Sequence, residues 1–545
     1  MGVSTDGRYE RFAGRMIERF GAERVLTGEA AQAAYGPNAI AIRRDIPLAV
    51  IPDSRDDVVA IVVAAADLKV PLYPISTGNN WGYGSANPVV DGCVVLDLSR
   101  MTRFELDDES GLLTAEPGVT QGMLRRYLDE RGLAFLCPVT GAGPDCSLVG
   151  NALERGYGIT PYADHFQAVM AMEAVLPDGT VYQTPLSEMG AAEVDRGFKW
   201  GVGPYLDGLF SQGNFGVVTQ MTIALAPRPE RVEAFYFGIP RDGDLEKAVA
   251  AVRRILRELG AVTGSINLMN RRRVLAMMEP YPRDRLGADG LISDDCLLEM
   301  AARSQVMPWM GAGALYGNAR VVKAAKAVIR SELRGVAKRL MFFTESSLGT
   351  LRGITRWLPG KPGHNLRNVL GALDKSLQLL CGAPSTIALP LAYWMSGRKP
   401  ADGQAMNPAR DGCGLMWYSP LVLMQPERVQ AYVTMVERIC RAHRVEPLIT
   451  LTSLSDRCFD STVPLLFDRA NASDAERIHR CYEALFHAGL AEGFVPYRAG
   501  VASMGLYVDA ASPYWGLVEK LKRAADPHNL IAPGRYSPDV PAGRG

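Results

Sequence analysis

The chain has 545 residues, 48% of them apolar and 22% charged, which excludes a mainly disordered polymer. At roughly 150 residues per domain, that length suits three or four domains or two large ones. Lys plus Arg and Asp plus Glu each number 59, so the zero formal charge excludes a strongly basic nucleic-acid binder or a polybasic membrane-surface protein.

From the amino terminus, residues 1–10 carry no apolar leader core, and Asp6 stands where an N-myristoylation pattern after Gly2 needs Ser or Thr. Residues 48–52 form a short apolar run. Ser54-Arg-Asp-Asp57 then has capping-box spacing, with Asp in place of Glu, ahead of a predicted helix over 58–68. Residues 70–75 are extended, and 92–98 read as a buried strand. Thr120 can cap a helix that stops at Gly132. Beyond Pro227 and Pro229 the pattern predicts a strand over 232–239, a helix over 244–259, a strand over 414–423, a helix over 427–443 and a strand over 447–454. Residues 280–410 show no sustained period, and no repeat of 20–50 residues is present. The last forty residues return to strand and helix texture and finish in Pro/Gly-rich coil. The expected class is α/β (α+β).

Nine cysteines lie scattered from Cys93 to Cys481 without a CxxC pair, which reads as buried thiols in a reducing compartment. No apolar stretch approaches the roughly 18 residues of a membrane span, so a cytoplasmic protein is expected. No Cys/His cluster has metal spacing, so no metal is expected. Arg271-Arg-Arg273 and the basic stretch 323–339 read as solvated helix faces.

The most informative segment is the loop Pro74, Ile75, Ser76, Thr77, Gly78, Asn79, Asn80, Trp81, Gly82, Tyr83, Gly84, followed by Ser85. Its glycines permit positive φ and close backbone approach, so successive N–H groups and hydroxyls can cradle a pyrophosphate. The other reading is a glycine-rich turn without a ligand. The spacing is neither a Rossmann fingerprint nor a P-loop.

Three further segments follow in order: Gly150-Asn151-Ala-Leu-Glu-Arg-Gly-Tyr-Gly158, the stretch 203–219 containing Asn214-Phe-Gly216-Val217-Val218, and Asp526-Pro-His-Asn-Leu-Ile-Ala-Pro-Gly-Arg535-Tyr536. This ordered set resembles the FAD-dependent vanillyl-alcohol oxidase and p-cresol methylhydroxylase family, over most of 45–230 and the last forty residues. The resemblance implies an FAD-binding domain built from 1–235 and 501–545, and an antiparallel-sheet cap over the isoalloxazine from 236–500. It implies that the loop 74–84 wraps the FAD pyrophosphate, that Ser85, Gly150, Asn151 and Gly158 also bind the cofactor, and that 214–218 lie along it.

By the same resemblance, Tyr83, Tyr497 and Arg498 hold a substrate's 4-hydroxyl as phenolate, and Arg535 places positive charge near flavin N1 and C2=O. Arg535 can equally be paired with a carboxylate. Asp145 matches roughly an aspartate near flavin N5, though a turn after Pro144 also explains it. Relatives tether the flavin through His or Tyr. None of the six histidines falls in the segment 413–420 where a tether would lie, but Tyr418 does, either as an O-tyrosyl link to FAD or as a core aromatic. His165 is expected to be a hydrogen-bonded structural residue.

The implied activity is removal of a benzylic hydride from a para-substituted phenol to give a quinone methide. Hydroxylation, desaturation or oxidative decarboxylation would follow, with oxygen or a cytochrome as acceptor and a homo-oligomeric protein. Two alternatives stand beside it: oxidation of a 2-hydroxy acid or sugar alcohol with FAD, and a non-catalytic flavin-binding scaffold.

Overall fold

In the computed structural model, which describes residues 7–355 and 360–538, Ser54 ends the first apolar run by capping the helix Arg55–Leu68. Its side chain accepts from the Asp57 N–H at 3.2 Å. The reciprocal half of the box is displaced by one residue: the Asp57 carboxylate accepts from the Asp53 N–H at 3.0 Å. Segment 1–6 and the Pro/Gly coil beyond 538 lie outside the described residues.

Leu48–Val50, Val94–Asp97 and Leu72–Ile75 run parallel, and Val25–Thr27 pairs antiparallel at one edge. The far end of the chain joins the opposite edge. Leu72 N–H donates to Leu530 O, and Ala532 N–H donates to Leu72 O, both at 2.7 Å. A second, antiparallel sheet has the order Phe104–Leu106, Leu112–Ala115, Val217–Ala224, Val169–Val175, Val181–Gln183. The helix Gln121–Arg131 is capped by Thr120 and closed by Gly132 at φ +64°, as its sequence predicts.

The middle of the chain forms an eight-stranded antiparallel sheet. Its central strand Trp309–Gly317 lies inside the stretch that showed no period. Gly311 and Gly313 explain the silence: they remove the apolar alternation because the rings of Phe237 and Phe235 occupy that space, and a Cβ on Gly311 would meet Phe237 at 2.1 Å. One face of the sheet packs Leu268, Leu451 and Phe459 against the helices Leu245–Leu259 and Pro426–Ala442. The predicted strand 414–423 is two strands, Gly414–Tyr418 and Leu421–Leu423, broken at Pro420. All nine cysteines are free thiols. Among the described residues, no helix is long and apolar enough to cross a membrane.

Candidate active site

The other face of the eight-stranded sheet is polar. Cross-strand partners in an antiparallel ladder share a face, which puts Asn267, Thr452 and Asp460 in one row and Thr450 and Thr462 in the next. Trp417 pairs with Pro464, two residues beyond Thr462, so Trp417 and Leu415 continue the same face. Asp460, Thr462, Trp417 and Leu415 form one wall of a cavity of about 450 Å3. The opposite wall comes from both ends of the chain, through residues 73–81, Tyr83, Ser85, the stretch around 146–157, Gly213, Gly216, Val218 and Arg535.

The glycine loop reaches this wall because Gly78, Gly82 and Gly84 adopt φ of +67°, +77° and +130°. Space also forbids side chains: a Cβ on Gly82 would lie 2.3 Å from Trp417 Cδ1, and one on Gly150 would lie 2.2 Å from Ser76 Oγ. Pro74, Ile75, Ser76, Thr77, Gly78, Asn79, Asn80, Tyr83, Ser85, Gly150, Asn151, Gly216, Val218, Tyr497, Arg498 and Arg535 all line the cavity. Ser85 Oγ is buried without a partner. A glycine-shaped backbone, hydroxyls, an orphaned donor and two cationic side chains together fit a flat, negatively charged dinucleotide.

Other expected contacts lie elsewhere. Gly82 and Gly84 shape the loop, with Gly84 packed on Val501, while Gly158 packs on His165 and Val139. Asn214 donates to Ala532 O at 3.2 Å, and its own carbonyl accepts from buried Lys522. Val217 is core. Asp145 is exposed outside the cavity, and its carbonyl accepts from Asn79, which is the turn role rather than a catalytic one. Tyr418 is a correction: strand alternation sends Trp417 to the cavity and Tyr418 into the core, where its hydroxyl donates to Leu485 O at 3.0 Å. It is not placed to tether a flavin. His165 contacts Asn151 Oδ1 through Nδ1 at 2.5 Å, and burial holds it neutral, near 4.

Tyr83, Tyr497 and Arg498 come together at this cavity. Tyr83 and Arg498 stack, with the guanidinium carbon 4.3 Å from the ring centroid. Val501 N–H donates to Tyr83 O at 2.8 Å, which fixes segment 497–501 against the loop. Tyr83 hydroxyl shares a 2.8 Å hydrogen bond with Ser419, and Tyr497 meets Tyr157 edge-on at 5.5 Å. Burial raises both tyrosines above their usual values, partly offset by Arg498, so both stay neutral.

Three charged residues escaped the motif reading. Glu154 sits between two arginines, accepting from Arg498 Nε at 3.2 Å and from Arg535 Nη2. Burial alone would raise its carboxyl, but Arg535 and Arg498 hold it below the ordinary range. Glu154 lies inside the quoted 150–158 motif, where only its position among glycines distinguished it. Asp460 is pushed up to about 7 by burial, against the pull of Arg498, and its Oδ1 has no partner. Its signal was a carboxylate within an apolar strand, Cys458–Phe467. Arg273 overturns the solvated-face reading of Arg271-Arg-Arg273. Arg272 and Arg273 are both buried. Arg272 pairs with Glu446 at 2.5 Å, and Arg273 faces the cavity. The short helix Arg271–Met278 packs into a cluster with Ile292, Leu297 and Trp394, and its Arg272 and Arg273 are buried rather than solvated.

Residues 46–185 match the FAD binding domain family. The chain is 36% identical over 532 residues to 1'-carboxy-chondrochloren decarboxylase of Chondromyces crocatus, covering 97% of each chain. It is 27% identical to the 4-cresol dehydrogenase [hydroxylating] flavoprotein subunit of Pseudomonas putida, covering 93% of this chain and 89% of that one. The crystal structure of p-cresol methylhydroxylase with substrate bound superposes with a TM-score of 0.86 at 25% identity, over 98% of both chains. The fold of 4-ethylphenol oxidase from Gulosibacter chungangensis matches equally, at 23% identity. The chain therefore belongs to the vanillyl-alcohol oxidase and p-cresol methylhydroxylase family, and is an FAD-dependent oxidoreductase.

Proposed function

We propose that the enzyme oxidises a para-substituted phenol at its benzylic carbon, beneath a cap formed by residues 236–500. The observation that carries this reading is the meeting of Tyr83, Tyr497 and Arg498 at one cavity, with Arg498 over the Tyr83 ring. Two neutral phenol donors and a guanidinium favour the anionic form of a third phenol. Glu154 holds Arg498 in place, as does Asn80, whose Oδ1 accepts from Arg498 Nη2 at 2.7 Å. Asp460 Oδ1 is free to take the phenolic proton, and a carboxyl near 7 suits that transfer at neutral pH. The bound FAD supplies the hydride acceptor. Arg535 supplies positive charge on the cavity wall opposite the cap sheet.

The oxygen end of the resulting quinone methide stays with Tyr497 and Arg498, which stabilise a returning phenolate whichever way it collapses. Water addition gives an alcohol, proton loss an alkene, and loss of CO2 a decarboxylated alkene. Reoxidation passes electrons to oxygen or to a cytochrome, which mixing the reduced enzyme with air separates. The test of the reading is anaerobic titration of the holoenzyme. 4-Alkylphenols bleach the flavin and 2-hydroxy acids do not; bleaching by hydroxy acids alone would overturn the reading.

A further inference from the structure

The cap wall of the cavity holds a cation whose side chain has no partner among the described residues. Arg273 is 8% exposed, its Nε and Nη1 are buried without a hydrogen bond, and its side chain lines the cavity. The other cavity arginines differ from it. Arg498 and Arg535 share Glu154, while burial alone acts on Arg273, lowering it to about 10, and no carboxylate acts on it. Asp460, the acid on this wall, feels Arg498 and not Arg273. Even at about 10 the group stays cationic at neutral pH.

An isolated buried guanidinium is costly unless an anion meets it. Within the phenol reading on which this inference rests, the phenolate faces Arg498, Glu154 answers Arg498 and Arg535, and the FAD pyrophosphate falls to the N–H groups of the glycine loop. Arg273 is left over in a cavity whose lining also includes Leu391, Ala392 and Leu415, which belong to the same apolar cluster as Val274 and Leu275 of its own helix. An apolar setting strengthens an ion pair and gives a neutral chain no compensation for the unmatched charge.

We propose that Arg273 recognises a carboxylate carried on the para side chain of the substrate, so that the enzyme prefers 4-hydroxyphenyl acids to carboxyl-free 4-alkylphenols. Arg498 and the tyrosines hold one end of such a molecule, and Arg273 holds the other. The benzylic carbon lies between two charged anchors. A product without the carboxylate leaves Arg273 unpaired again and binds more weakly than the acid that formed it.

The experiment is anaerobic stopped-flow reduction of the holoenzyme, reading Kd and the limiting rate for three matched pairs. These are 4-hydroxyphenylacetate with 4-methylphenol, 3-(4-hydroxyphenyl)propanoate with 4-ethylphenol, and 4-(4-hydroxyphenyl)butanoate with 4-propylphenol. At least one acid binds about tenfold or more tightly than its partner, as expected for a buried charged contact. In Arg273→Gln that ratio collapses towards one, and Arg273→Lys restores part of it. Equal Kd values within all three pairs of the wild-type enzyme overturn the proposal, whether or not either variant folds. Loss of FAD from Arg273→Gln with the acid preference intact overturns it too, assigning the guanidinium to the cofactor. Failure of every phenol to reduce the flavin instead overturns the phenol reading, and this inference falls with it.

Discussion

The Arg498 guanidinium lies 4.3 Å from the centroid of the Tyr83 ring, although the two residues are separated by most of the chain. Arg498 is also hydrogen-bonded to Glu154 and Asn80, so its position is fixed from three sides. A cation held this firmly needs no reorganisation when negative charge develops on a nearby oxygen. Arg498→Met is expected to lower the rate constant for flavin reduction by a 4-alkylphenol about 100- to 1,000-fold, with FAD content retained. Arg498→Lys recovers little, because a point charge replaces neither the stacking nor the forked hydrogen bonds. Rapid-reaction kinetics of the two variants check this.

Glu154 is the only carboxylate that contacts both arginines among the described residues. Removing its charge leaves two buried cations facing each other. Glu154→Gln is expected to cost about 3–5 kcal/mol of stability, read as a lower melting temperature of the apoprotein at pH 7. The pH dependence has a definite sign. The folded carboxyl is held below its unfolded value, so its stabilisation is present above roughly pH 4.3 and is lost as pH falls through the folded value. Wild type loses stability on acidification there, and Glu154→Gln has a flatter acid limb.

Asp460 behaves in the opposite sense. Its folded value is raised to about 7, so its contribution to stability is full below the unfolded value of roughly 3.9 and is lost as pH rises through about 7. The proposed role as proton acceptor needs the ionised form. The rate of flavin reduction is therefore expected to rise with pH around 7, and that inflection should vanish in Asp460→Asn. A profile unchanged by the substitution would remove Asp460 from the mechanism.

Tyr418→Phe separates a structural tyrosine from a flavin tether. The lost hydroxyl contact to Leu485 O costs about 1 kcal/mol, while the division of flavin between acid pellet and supernatant stays as in wild type. Denaturant unfolding reads the first, and spectra before and after acid precipitation read the second.

What the sequence revealed and what it hid follow from the same physics. Caps and turns are local, so Ser54, Thr120 and Gly132 appear where their chemistry predicts. The glycine loop was readable because positive φ restricts residue type. Strand Trp309–Gly317 was hidden because its small residues answer to rings on the neighbouring strand, which no local pattern records. Tyr418 and Trp417 differ only in strand parity, and parity relative to a cavity is set by the whole sheet. Arg273 was misread for the same reason. A basic run on a short helix looks solvated until the elements packed over it are known.

The most direct measurement is the structure of the anaerobically reduced holoenzyme with 4-ethylphenol bound. The phenol oxygen should lie within about 3.2 Å of the Tyr497 hydroxyl and the Arg498 guanidinium, with the ethyl group directed towards the cap wall that carries Arg273. A phenol oxygen directed to Arg273, with Tyr497 and Arg498 left facing its alkyl chain, would contradict the account.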